Sequence, residues 1–111
     1  MKNYKELLDE RNDSVQKLKK NTPDQLKGFG GLYKEVMKAG ALDVKTKELI
    51  AVGTAVTSLC EMCIVVHVKN AVNAGANNQE ILEAAWVAVM MGGGPALAYI
   101  QCVLKALEDF S

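Results

Sequence analysis

Apolar residues along this chain recur at helical rather than alternating spacing, and the breaks between them carry helix start and stop signals. Residues Tyr4 to Leu18 hold only sparse apolar positions (Leu7, Leu8, Val15, Leu18) among many charges, the pattern of a solvated, peripheral N-terminal helix within residues 1–20. Thr22-Pro23-Asp24-Gln25 reads as an N-cap, an N1 proline and a capping-box glutamine. Gly28-Phe29-Gly30-Gly31 predicts a break, followed by a second piece from Leu32 to Ala39 that ends at Gly40. Asp43 is placed to cap a helix from Val44 to about Val56. Ser58-x-x-Glu61 reads as a further capping box, opening a helix that runs to Ala74 and stops at Gly75. Asn77-x-x-Glu80 opens the next, through Met91, and Pro95 starts the last, through about Leu107. The expectation is an all-α chain of about six helices joined by short connections, one domain over residues 1–111 with no repeat or linker.

Composition narrows the function. The chain has 111 residues, half of them apolar, with 13 basic and 13 acidic side chains and a pI near 6.6. It therefore lacks the basic excess expected of a nucleic-acid binder or a ligand of anionic membranes. Residues 1–50 carry 11 basic and 8 acidic side chains, residues 51–111 only 2 and 5. The uncharged run from Ala84 to Leu104 is 21 residues, long enough for a membrane span, but Gly92-Gly93-Gly94-Pro95 in its middle ends a helix there. Two adjacent helices are expected instead, with enough apolar surface to favour a homo-oligomer. The N-terminal MKNYKELLDE lacks the apolar core of a signal peptide, and three cysteines are too few for a disulfide scaffold. A reducing, cytoplasmic setting is the expectation.

Two of those cysteines form Cys60-x-x-Cys63. On a helix beginning at Ser58, Cys60, Cys63 and His67 fall within an arc of roughly 60° at about 100° per residue, so they share a face. Cysteines three apart on a helix have a Cα separation compatible with a disulfide, and exposed amides at a helix start favour the thiolate. His67, one turn beyond Cys63, is placed to accept or return a thiol proton near neutral pH. Glu48 joins them if residues 44–56 and 59–74 form an antiparallel hairpin. The midpoint of positions 48 and 67 is 57.5, inside that turn, so the two side chains would lie level on facing helices. A carboxylate there orients the imidazole and raises its basicity.

Together these residues read Glu48-x11-Cys60-x2-Cys63-x3-His67. That pattern resembles the signature of the alkylhydroperoxidase (AhpD)-like branch of the carboxymuconolactone decarboxylase family. The flanking Ala41-Leu42-Asp43, Lys45-Thr46-Lys47-Glu48-Leu49-Ile50 and Gln79-Glu80-Ile81 extend the likeness over roughly residues 20–107. The resemblance implies an AhpD-like helical domain with a central antiparallel hairpin carrying the CxxC, assembled as a trimer or hexamer. It also implies a thiol-dependent peroxidase or disulfide reductase, acting on a hydroperoxide or disulfide and needing no bound cofactor. Cys63 would be oxidised to the sulfenic acid, and Cys60 would supply a proton and then close the disulfide. His67 and Glu48 would complete a proton relay, and a dihydrolipoyl protein or related dithiol would be the reductant. Members with peroxidase activity can carry a histidine between the cysteines, where this chain has Met62. The helix-dipole argument alone favours a thiolate at Cys60, whereas the resemblance assigns the first attack to Cys63.

Other readings of the same residues are weighed against this one. A zinc site of Cys60, Cys63 and His67, with or without Cys102, is disfavoured, because structural zinc knuckles draw two ligands from each of two separated segments. A thioredoxin-like domain requires a strand before its CxxC, and none is predicted. A non-redox enzyme of the same superfamily, using His67 as acid or base, is the main alternative, and an assembly module with an idle dithiol is another. Cys102 reads as a buried core thiol, and Trp86, Met90 and Met91 as core or subunit interface. Gly92-Gly93-Gly94 reads as a helix break allowing close packing, and Lys17, Lys19 and Lys20 as a solvated helix end.

Overall fold

The computed structural model describes residues 3–110, and among them the only regular elements are six α-helices. These are α1 (Tyr4–Asn21), α2 (Pro23–Met37), α3 (Val44–Thr57), α4 (Glu61–Asn73), α5 (Asn78–Gly92) and α6 (Gly94–Phe110). The all-α expectation holds. Helices α3 to α6 pack in a ring of neighbours, α3 on α4 and α5, and α6 on α4 and α5. Val52, Val56, Ile64, Val65, Val68, Ile81 and Val103 are fully buried between them. Each such side chain contributes on the order of 1.5–3 kcal/mol of burial free energy, which makes this group the main source of stability. Helix α2 has no buried residue, and α1 has one.

Several helix ends follow their sequence signals. Asp43 caps α3 by accepting from the Thr46 amide at 2.7 Å. Asn77 and Glu80 form the complete capping box at α5, each side chain accepting from the other's backbone amide at 2.9 Å. The last helix breaks from α5 at Gly93, whose φ of 73° suits glycine. A Cβ at Gly92 would come within 3.0 Å of Ala96 and 3.1 Å of Thr57, so this break does permit close packing.

Three expectations need correction. Thr22-x-x-Gln25 is not a capping box: the Thr22 hydroxyl donates back to the Leu18 carbonyl at 3.2 Å, closing α1 rather than opening α2. Helix α2 runs unbroken through Gly28, Gly30 and Gly31. Each glycine costs about 1 kcal/mol relative to alanine, and none of them adopts a positive φ, so the helix is weakened without being interrupted. Ser58 does not open α4 either. Its amide still bonds the Thr54 carbonyl at 2.9 Å, so it ends α3. In α1, Tyr4, 3% exposed, is the one buried residue, and Leu18 faces solvent.

The α3–α4 turn and its cavity

The turn from α3 to α4 is a Schellman-type reversal. The Leu59 amide bonds Val56 at 3.1 Å and the Cys60 amide bonds Ala55 at 3.2 Å. Leu59 takes the left-handed position at φ 55°, where glycine is usual. Cys60 is thus the second residue past the end of α3 and, at the same time, the N-cap of α4. Its Sγ accepts from the Cys63 amide at 3.2 Å. The sequence places Cys60 two residues inside the helix, whereas the structure puts it at the helix mouth. A thiol there stands where oxygen caps usually stand, and the reversal leaves Ser58 no freedom to serve.

Cys60 and Cys63 are joined by a disulfide, with a Cα–Cα distance of 5.3 Å. Cys63 is exposed and Cys60 half-buried. The hairpin arithmetic also holds: Glu48 on α3 and His67 on α4 lie level, with Oε1 2.7 Å from Nδ1. Glu48 is 5% exposed, the one buried charged residue among the described residues, and the imidazole is its partner. That contact places the proton of a neutral ring on Nδ1 and leaves Nε2 as the acceptor. Cys63 and His67 both line one cavity of about 490 Å³, walled by Val36 and Met37 of α2 and by Ile50, Ala51 and Thr54 of α3.

Two participants had no separate signal in the sequence. Tyr33 of α2 stacks on the His67 ring, with centroids 6.2 Å apart and planes inclined by 22°, and its hydroxyl accepts from the Asn70 amide at 3.4 Å. Burial and the Glu48 charge push its phenol pKa up. Lys47 donates to the Val36 and Lys38 carbonyls, both at 2.7 Å, tying the end of α2 to α3 beside the cavity. An exposed tyrosine and a lysine are common surface residues, so only their long-range partners identify them.

The remaining candidates lie elsewhere. Cys102 of α6 is half-buried rather than core and lines a separate cavity with Tyr4 and Glu61, away from the one that holds Cys63 and His67. The fourth ligand of the zinc reading is therefore not brought to the other three side chains, and no group of three or more His, Cys, Asp or Glu among the described residues is arranged to hold a metal. Trp86, Met90 and Met91 are exposed, so they do not belong to the core. Lys17, Lys19 and Lys20 are solvated. Among the described residues no helix is long and apolar enough to cross a membrane.

Residues 23–106 match the model of the carboxymuconolactone decarboxylase family. A solved protein of that family from Legionella pneumophila superposes with a TM-score of 0.94 at 40% identity, covering 97% of this chain and 96% of its own. A second, from Thermotoga maritima, gives 0.85 at 31% identity, covering 94% and 88%, and is described as a family member with an antioxidative response as a possible role. An uncharacterized protein of the cox locus in Paracoccus denitrificans is 46% identical over 81 residues, 73% of each chain.

Proposed function

We propose, from the premise that this chain belongs to the carboxymuconolactone decarboxylase family, that it is a thiol-dependent peroxidase or disulfide reductase of the AhpD-like branch. The observation that carries the reading is the exposed Cys63 opening on one cavity with His67, whose Nδ1 is held by the buried Glu48. A buried carboxylate fixing an imidazole beside a disulfide-forming pair is the arrangement of a proton relay for thiol chemistry. The antioxidative role suggested for the Thermotoga relative agrees with it.

In the cycle, His67 takes the proton of Cys63. The thiolate attacks the distal oxygen of a hydroperoxide and breaks the O–O bond. Cys63 becomes a sulfenic acid, and the alkoxide leaves as the alcohol with the proton returned by His67. The Cys60 thiol then attacks the sulfenic sulfur, water leaves, and the disulfide closes. An external dithiol resets the pair by attacking the exposed Cys63 sulfur. Cys60 then departs as a thiolate facing the Cys63 amide at 3.2 Å in the oxidised form, and a second exchange releases the oxidised donor. The amide makes Cys60 the better leaving group, which reconciles a stabilised Cys60 thiolate with first attack at Cys63.

Assembly into a homo-oligomer, trimer or hexamer, belongs to the same proposal. It is supported by exposed apolar side chains on α2 (Phe29, Leu32, Val36) and α5 (Trp86, Val87, Met90, Met91). The test is stopped-flow turnover of an organic hydroperoxide with a dihydrolipoyl donor. Cys63→Ser and Cys60→Ser should each abolish dithiol-dependent turnover. Full activity in either variant would overturn the cycle and leave non-redox acid–base chemistry at His67.

A further inference from the structure

The start of α4 is flanked by two cavities. One holds Cys63 and His67, and the other, about 400 Å³, is lined by Tyr4, Glu61, Cys102 and Lys105. Glu61 is the first residue of α4 and lies between the two cysteines in the chain. Its Oε2 accepts from the Tyr4 hydroxyl at 2.8 Å. Tyr4 is itself fixed by three further contacts: its ring is buried, its amide donates to Asp109 at 2.9 Å, and the Lys105 ammonium lies 4.8 Å from its ring centroid. Burial, together with hydrogen bonds to Cys102 and Glu61, pushes the Tyr4 phenol pKa up, so the hydroxyl remains a donor at neutral pH. The carboxylate is thereby kept on the α1–α6 side of the motif, away from the cavity lined by Cys63 and His67.

We propose that Glu61, held by Tyr4, is a positioning residue that sets how readily the Cys60–Cys63 disulfide is reduced. The inference rests on the dithiol reading of that pair. Reduction takes up two electrons and develops negative charge on sulfur at the mouth of α4. A fixed carboxylate one residue from Cys60 opposes that charge, while the helix amides favour it. Glu61 therefore biases the pair toward the disulfide, and Tyr4 limits the bias by keeping the carboxylate turned aside. Because Glu61 is exposed, screening confines the effect to roughly three- to tenfold in the equilibrium constant.

The experiment equilibrates the full-length protein with reduced and oxidised dithiothreitol. Each exchange passes two electrons and one proton from the dithiol to the protein disulfide, leaving Cys63 as the thiol and Cys60 as the thiolate and releasing the second proton to solvent. The reduced fraction is read by alkylation and mass shift. Glu61→Gln keeps an acceptor for the Tyr4 hydroxyl and should move the equilibrium toward the dithiol by up to about tenfold, about 30 mV for this two-electron couple. The shift should shrink in 1 M salt, where the Debye length is about 3 Å. Tyr4→Phe keeps the buried ring but frees the carboxylate, and should move the equilibrium the opposite way by less. In a Glu61→Gln background Tyr4→Phe should change nothing further, a dependence that a merely structural role would not show. Wild-type equilibria in Glu61→Gln, or an equal Tyr4→Phe effect in both backgrounds, would overturn the inference while leaving the dithiol enzyme intact. A pair that cannot be reduced at all would overturn both.

Discussion

The chain reverses twice by the same backbone device, once from α3 to α4 and once from α4 to α5, and the two reversals differ in their side chains. At the second, Gly75 takes the left-handed position at φ 95°, and its amide and that of Ala76 bond Val72 and Ala71 at 3.0 and 2.9 Å. Asn77 then caps α5 through a full capping box. At the first, Leu59 occupies the left-handed position and a cysteine sulfur replaces the oxygen cap. One reversal follows the local rules for stability, and the other departs from them at two consecutive residues. Those departures place a sulfur at the helix mouth, within bonding reach of the next cysteine and beside the amides that favour its thiolate. The better-capped reversal carries no chemistry, and the worse-capped one carries the candidate site.

The largest effect expected from breaking this contrast comes at Cys60. Cys60→Ser installs a better N-cap, so thermal melts of the reduced protein should show unchanged or higher stability, while dithiol-dependent turnover is lost. A variant that is both inactive and strongly destabilised would show that the sulfur holds the turn together as well. Next in size is Glu48→Gln, which removes the charge behind His67 without changing shape. Turnover should fall on the order of a hundredfold, the scale of a lost acid–base contribution, with a shifted pH–rate profile.

Asn77→Ala tests the other reversal. It should cost about 1 kcal/mol in urea unfolding and leave the dithiol equilibrium untouched. Leu59→Gly relieves a left-handed leucine and should stabilise the fold by less than about 1 kcal/mol, since glycine also gains freedom in the unfolded chain. Any larger loss of activity than of stability in that variant would mean that the leucine side chain itself serves the site.

The smallest effects are in pH, and the two helix starts should fail at opposite ends of the scale. At α5, the Lys45 ammonium and the Asn77 amide lower the Glu80 pKa, so its contribution is present above about pH 4.5 and lost as pH falls through the lowered value. At α4, the Tyr4 phenol holds its proton more tightly when folded than unfolded. Its contribution is present below about pH 10 and declines as pH rises beyond that, where only the unfolded chain has lost the proton. Urea midpoints measured from pH 3 to 11 should show both slopes, and Tyr4→Phe should flatten only the alkaline one.

Local signals read well wherever the partner was near in sequence. The caps at Asp43 and Asn77 and the stop at Gly75 involve groups within a few residues of one another, so the sequence specifies them almost alone. The Ser58 and Thr22 signals failed because each residue was already committed to ending the preceding helix. Helical propensity could not report that competition. Gly28, Gly30 and Gly31 misled because glycine's cost is graded rather than absolute.

By itself, then, the amino-acid order determined the all-α class and the meeting of Glu48 with His67. A fixed rise per residue makes two positions equidistant from a turn lie level, whatever the rest of the chain does. Only the tertiary structure decided that Tyr33 covers the imidazole and that Tyr4 reaches across 57 positions to Glu61. Those choices depend on how helices dock, through burial and hydrogen bonds between distant residues, and no local period or motif carries that information.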